Sequence, residues 1–495
     1  MKHILGISAG FHDAAATVIR SDGEIVFAGH SERYSKEKND PTISLSLLKE
    51  LCEWDYDTVA FYERPWMHNI QQVFSRQRNF GPWTTRGALE KHLGSWYQIP
   101  ARREVSASHH LSHAAAGFQT SPFDRAVVVV IDAIGELDTV SIYRARYDNK
   151  GRAQYQRLWR QMYPHSIGLF YSAMTDRVGL KPMDEEYITM GMAAWGRDTW
   201  YQALSNRVIK DYNSIELNEN FHIGVDSTFL ESATNEDIAC AAQLVAEDLI
   251  MSVMKKARQL TGETNLVYMG GVALNCLANR NLGNIYENIW IMPCPGDAGS
   301  SLGAAALAHG GRVNWRNPYL GHDIPGSYPA VELVDRLFAE QIVGVASGRA
   351  EFGPRALGNR SLLADPRGSE IKERVNAIKK RQQFRPFAPV ILEEYVNDYF
   401  EMPQGYTNSP YMQVVARCRH PDHFPAIIHV DKTSRVQTVN KNCGSGIRQL
   451  LEAWYAKTGC PMLLNTSLNI RGEPMVNDRV DADRFEKLYG VKVCS

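Results

Sequence analysis

The sequence predicts an α/β protein of more than one domain, and three features carry that reading. Its 495 residues exceed what one ordinary core accommodates. Its opening strand pattern restarts near Ala126, and a third strand-bounded run follows a stretch with several Gly and Pro.

The first run opens with strands from His3 to Ser8, Ala14 to Arg20 and Ile25 to His30, joined by Gly-containing turns at Ala9 to Asp13 and Ser21 to Gly23. A helical stretch, Ile43 to Trp54, leads to a strand from Thr58 to Tyr62. The second run begins with AVVVVIDAIGE and continues in a strand from Thr139 to Arg144. Strands from Leu266 to Met269 and from Ile289 to Met292 then precede Gly270-Gly271 and Pro295-Gly296-Asp297, and an Ala-rich helix spans Ser300 to His309. Gly310 to Tyr328 marks a domain boundary, and the last unit runs from the strand Ile342 to Ser347 to the strand Pro461 to Ser467. The expected domains are residues 1–320, in lobes of about 1–125 and 126–320, and residues 321–495. Polar residues gather at strand ends, where α/β sheets place their ligands.

Composition narrows the function. The 54 basic and 55 acidic side chains leave a formal net charge of −1, so no global basic field points to nucleic acid. No apolar run is long enough for a membrane span and no leader is visible, so a cytoplasmic protein is expected. Eight cysteines without a CxxC pair fit reduced packing thiols. Locally, Arg64 to Arg103 carries seven Lys or Arg against Glu90 alone, interleaved with Trp66, Phe74, Phe80, Trp83, Trp96 and Tyr97. That pattern suits first a helical cap that uses its aromatics as core, and second a polyanion with stacking bases.

Several residue sets could carry chemistry. His109 and His113 stand four apart at the start of a plausible helix and can share one metal ion, although HxxxH alone is a weak signal. Asp297 would complete a two-histidine, one-carboxylate set that favours Fe(II) without excluding Zn or Mn; it would serve equally as a helix cap. Asp132, at the end of the most hydrophobic strand, could reach the same cleft and needs a partner or ligand there. His12, in the Gly10 to Asp13 turn, has the pKa range to take a proton from an alcohol. Gly270, Gly271 and Asn275 suggest close backbone approach to a nucleotide, yet no Walker A motif occurs. In the last unit, Arg355 and Arg360 lie among Gly and Pro, followed by Lys379, Lys380, Arg381 and Arg385, as in a shaped loop for phosphate groups.

Together the segments FHDAA, HHLSHAAAGF, GGVALN, PGDAGSSLGAA, EFGPRALGNRS, FRPFAP and LLNTSLNIRGEP resemble, in order, the nodulation-type and antibiotic-type O-carbamoyltransferases. The resemblance implies a two-lobed actin/sugar-kinase-like (TsaD-like) domain followed by an α/β YrdC-like domain. It implies that carbamoyl phosphate and ATP, with Mg(2+), give carbamoyl-adenylate in the second domain, and that the first transfers the carbamoyl group to an acceptor hydroxyl. His109, His113 and Asp297 match the family's Fe(2+) ligands and His12 its general base. Arg355, Lys380, Arg385, Arg435, Asn465 and Ser467 match the region that binds carbamoyl phosphate and ATP, and Asp132, Gly270, Gly271 and Asn275 the nucleotide or intermediate region. The segments SAGFHDAA, GHSERYSKEKND and AFYERPW look like a viral branch, for which 5-hydroxymethylcytosine in phage DNA is the expected acceptor and host cytoplasm the setting. A small-molecule alcohol (antibiotic, sugar or oligosaccharide) is the alternative, and a kinase or threonylcarbamoyl transferase on the same fold a further one. Ile188 stands where many members carry a lysine before Met-Gly, which removes any role that lysine has elsewhere.

Overall fold

A computed structural model describes residues 2–74, 80–94, 102–226 and 228–495. The chain divides into two compact units, residues 2–35 with 39–315 and residues 36–38 with 316–495. Both are mixed α/β.

The first unit contains one fold twice. Its first sheet is built from β1 (His3–Ser8), β2 (Ala15–Arg20), β3 (Ile25–His30), β4 (Tyr56–Phe61) and β5 (Arg103–Ser106), in the order β3-β2-β1-β4-β5. The first three strands pair antiparallel, and β4 and β5 add in parallel beside β1. The second sheet repeats this plan with β6 (Arg125–Gly135), β7 (Asp138–Tyr147) and β8 (Ala153–Met162) as the meander. After a two-stranded ribbon of β9 (Ile209–Asp211) and β10 (Glu216–Leu217), β11 (Asn265–Met269) and β12 (Asn288–Trp290) add in parallel beside β6.

Two helices lie between the sheets, each packed on the sheet of the other half. The His109–Thr120 helix follows β5 but packs on β6 and β11, while the Ser300–His309 helix follows β12 but packs on β1 and β2. The two helices also pack on each other, and small residues make the approach close: a Cβ on Gly303 would stand 1.8 Å from the Ser112 carbonyl oxygen. This crossing sets the site, because each helix begins where the opposite sheet's strand ends point.

The second unit is built on a six-stranded sheet accompanied by two smaller sheets. In chain order the strands are β13 (Tyr319–Ile324), β14 (Ile342–Ala346), β15 (Gly348–Glu351), β16 (Arg360–Ala364), β17 (Ala388–Leu392), β18 (Phe400–Glu401), β19 (Val415–Cys418), β20 (Thr433–Arg435), β21 (Gln437–Val439), β22 (Met462–Ser467) and β23 (Val493–Cys494). The large sheet runs β21-β17-β22-β16-β14-β23, with β13-β15 and β18-β19-β20 as the smaller sheets. Val343, Val345, Leu362, Val390, Leu463, Leu464 and Trp454 are buried in its core. No described helix is long and apolar enough to cross a membrane.

The sequence reading missed β8. Gln154, Gln156, Arg157, Arg160 and Gln161 give this edge strand a largely polar face, so its pairing with β7 is not announced by hydrophobicity.

Candidate metal centre

The His109–Thr120 helix turns His109 and His113 to one side, and their Nε2 atoms stand 3.1 Å apart. Two carboxylates meet them. Asp297, in a short turn just ahead of the Ser300–His309 helix, places Oδ1 3.3 Å from both Nε2 atoms. Asp132, near the end of β6, places Oδ2 3.0 Å from His113 Nε2 and 3.5 Å from His109 Nε2. All four side chains are buried, and one donor atom from each lies within 4.8 Å of the others.

The surroundings prepare these atoms for a cation. His113 Nδ1 lies 3.0 Å from the Pro295 carbonyl oxygen, which can only accept, so Nδ1 carries the proton and Nε2 is the free electron pair of the neutral ring. Asp132 Oδ1 accepts from the backbone N–H groups of Ala133 (2.8 Å) and Gly271 (3.4 Å), whereas its Oδ2 is buried with no hydrogen-bond partner among the described residues. Bare nitrogens and carboxylate oxygens at this spacing repel one another unless a proton or metal ion lies between them, so the residues fit a metal. Two imidazoles with two carboxylates suit a divalent first-row ion.

Without a metal, protons take that role. Burial disfavours charge on His109 and His113, but Asp297 and Asp132 outweigh it and raise both pKa values. Burial likewise pushes Asp132 and Asp297 upward, and the imidazoles reverse this, holding both below the usual carboxylate range. His110 faces away: its Nδ1 meets Ser141 Oγ at 2.8 Å, and burial followed by the nearby His109 keeps it well below the ordinary histidine range.

His12 stands at the edge of this cluster, Nε2 3.8 Å from Asp297 Oδ2 and Nδ1 3.0 Å from Asp13 Oδ2. Burial opposes its charge, yet Asp297 and then Asp13 raise its pKa to about 9. Phe11, its neighbour, is 56% exposed, with ring centroids 4.8 Å apart.

Asp132, read from sequence with the nucleotide or intermediate residues, therefore lies among the candidate metal ligands. Gly270 and Gly271 sit against it: Gly270 has φ +91°, and a Cβ there would come within 2.1 Å of the Ile131 carbonyl oxygen. Asn275 belongs instead to a buried polar network that the sequence did not signal. Its side chain exchanges hydrogen bonds with Gln243 at 3.0 Å, and Gln243 also meets Tyr171 and Glu247.

In the second unit, Asn465 and Ser467 project from the same face of β22, and the lysine beside them is Lys379, not the expected Lys380. Lys379 Nζ lies within 2.6–3.2 Å of four oxygens of Ser467 and Asn469. Lys380, just beyond the Ile371–Ile378 helix with φ +50°, instead lies over the Tyr489 ring. Burial, with Arg381 and Arg385 nearby, pushes Lys379 well below the usual lysine range.

Gln437, also unsignalled, donates to the Leu357 carbonyl and accepts from Asn465 Nδ2, which donates as well to the Ala356 carbonyl. Arg435, in β20, keeps a buried Nε without a hydrogen-bond partner among the described residues. Arg355 is half-buried in the loop before Ala356, and Arg385 lies just ahead of β17. Arg360 is a structural residue: fully buried, it donates to five backbone carbonyls, of Asn477, Ser347, Gly348, Asn359 and His322.

In the basic segment, Ala88, Leu89 and Leu93 pack inward while Trp66, Phe80 and Trp83 are exposed, so these three aromatics do not form the core of a cap. Arg76, Arg78, Trp96, Tyr97 and the Phe74 side chain lie outside the described residues.

Four buried side chains able to hold a metal ion, with a histidine at their edge, form a candidate catalytic centre. Residues 84–306 match the Carbamoyltransferase N-terminus family and residues 334–493 the Carbamoyltransferase C-terminus family. The chain is 35% identical to Nodulation protein U of Sinorhizobium fredii over 93% of its length and 92% of that protein's. It is 34% identical to Nodulation protein NolO of Bradyrhizobium diazoefficiens, covering 76% and 75% of the two chains. An uncharacterized Synechocystis protein is 33% identical over 98% of this chain and 94% of its own. Among solved structures, the activator of 2-hydroxyisocaproyl-CoA dehydratase from Clostridium difficile overlays 62% of this chain and 94% of its own, with a TM-score of 0.36 at 16% identity. The chain belongs to the carbamoyltransferase family and is an enzyme of that kind.

Proposed function

We propose that this enzyme is an ATP-dependent O-carbamoyltransferase with two half-reactions. The second unit, read as YrdC-like, takes carbamoyl phosphate, water and ATP to carbamoyl-adenylate, inorganic phosphate and pyrophosphate; the first, read as TsaD-like, passes the carbamoyl group to a hydroxyl and releases AMP. The observation that carries this reading is the meeting of His109, His113, Asp132 and Asp297 with His12 at their edge. His12 takes the proton of the attacking hydroxyl at Nε2, with Asp13 holding Nδ1. A bound divalent cation, Fe(2+) on this reading, supplies a fixed positive charge for the adenylate phosphate and for the departing AMP. Arg355, Arg385, Arg435, Asn465 and Ser467 bind the phosphates and the carbamoyl group in the second unit, with Lys379 holding Ser467 in place.

The acceptor reading is 5-hydroxymethylcytosine in DNA. Exposed Phe11 beside His12, and exposed Trp66, Phe80 and Trp83 in a basic segment, support a surface that stacks bases and meets phosphates. The test supplies Fe(II), Mg(2+), ATP, carbamoyl phosphate and hydroxymethylcytosine-containing DNA, then measures AMP and carbamoylated nucleoside by mass spectrometry. Both products support the full reading. AMP formation with small alcohols but not DNA retires the DNA acceptor, and no AMP with any acceptor overturns the two half-reactions.

A further inference from the structure

The two imidazoles of the candidate metal centre are held differently on their far sides. His113 Nδ1 donates to the Pro295 carbonyl, so its tautomer is set by the backbone. His109 Nδ1 is buried and has no hydrogen-bond partner among the described residues, and the group facing it is Glu63, with Oε2 at 3.8 Å.

Glu63 is held in place from both sides. The preceding carbonyl, of Tyr62, accepts from Ser112 Oγ at 2.7 Å, on the same helix as His109. The following residue, Arg64, donates through its backbone N (2.9 Å) and its guanidinium to Glu136, a buried carboxylate four residues beyond Asp132 that adopts φ +58°. The backbone carrying Glu63 is thus tied to both elements that supply His109 and Asp132. A movement of about 1 Å would bring its carboxylate within hydrogen-bond reach of Nδ1.

Resting on the metal-centre reading, we infer that Glu63 is a positioning residue: its carboxylate accepts the Nδ1–H of His109 and so leaves Nε2 free to bind a metal ion. An imidazole donating to a carboxylate is fixed in tautomer and ring orientation and is a stronger ligand. The protein thereby uses a backbone carbonyl for one histidine and a side chain for the other, and only the second can be altered by mutation.

The test titrates the full metal-free chain with Co(II) under anaerobic conditions, against a chelating indicator and by visible absorption. Glu63→Leu removes the acceptor at similar size, and Glu63→Gln keeps an acceptor oxygen. Glu63→Leu should weaken binding by roughly 10–100-fold and alter the Co(II) spectrum, while Glu63→Gln restores affinity to within a few-fold of the wild type. Wild-type affinity in Glu63→Leu, or equal loss in both variants, overturns the assignment. Failure of the metal reading itself looks different: the wild type would bind no Co(II) that His109→Ala abolishes.

Discussion

His113 Nε2 stands 3.0 Å from Asp132 Oδ2, a buried carboxylate oxygen that has no hydrogen-bond partner among the described residues. In the neutral His113 tautomer set by Pro295, both atoms present electron pairs, and a bound cation satisfies both. Asp132→Asn keeps the shape and the two backbone hydrogen bonds to Oδ1 but removes the charge. It should weaken metal binding by more than the ~10–100-fold expected for an outer partner such as Glu63. Isothermal titration with Zn(II) or Co(II) measures this, and an unchanged affinity would exclude Asp132 from the ligand set.

His12 gives a pH-dependent prediction. In the metal-free protein its pKa is raised to about 9, with Asp297 the largest raising influence, so most of it is protonated at neutral pH. A raised folded-state value means that His12 contributes stability fully present below its unfolded value near 6.5, which is lost as pH rises through about 9. Cation binding at Asp297 offsets the charge that raises it, so the His12 midpoint should fall on metal loading. Histidine NMR resonances, assigned with His12→Ala, would show this, and a midpoint indifferent to metal would separate His12 from the centre. The same variant should retain metal and carbamoyl-adenylate formation but lose transfer to the acceptor.

Much of the centre was legible in the sequence because helical spacing puts residues four apart on one face, which paired His109 with His113. Asp297 was marked by its position between a strand end and an Ala-rich helix. The membership of Asp132 was less defined, since strand ends from different parts of the chain meet only after the two helices cross. Glu63 gave no signal, because nothing local distinguishes an acid after Tyr62 that faces a histidine on another element. Lys379 and Lys380 are adjacent, and which one turns toward Ser467 depends on where the Ile371–Ile378 helix ends and on the positive φ of Lys380. The strand meanders were readable from apolar runs, and polar β8 was not.

The close crossing of the two central helices links packing to the site. Gly303→Ala would place a methyl group 1.8 Å from the Ser112 carbonyl oxygen, one residue from His113, and the helices must separate to admit it. The expected cost is about 1–3 kcal/mol of stability. Because one helix carries His113 and the other follows Asp297, metal affinity should fall as well. Thermal unfolding with and without Zn(II) tests both effects, and full retention of each would mean that the helices can move without disturbing the ligands.

The adjacent lysines of the second unit provide a comparison in which one substitution serves as control for the other. Lys379 is buried against Ser467 and Asn469, and its ammonium holds the turn after β22. Lys379→Met removes the hydrogen bonds to four oxygens and should lower pyrophosphate formation from carbamoyl phosphate and ATP by at least about 100-fold, the effect of losing ~3 kcal/mol of positioning. Lys380→Met loses only a cation over the Tyr489 ring, worth ~0.5–1 kcal/mol at an exposed site, and should keep most activity. Gln437→Leu should resemble Lys379→Met more weakly, since it frees Asn465 from the Leu357 loop. Pyrophosphate release in single turnovers reads all three without needing the acceptor. If Lys380→Met is the damaging change and Lys379→Met is mild, Lys380 rather than Lys379 serves the activating site.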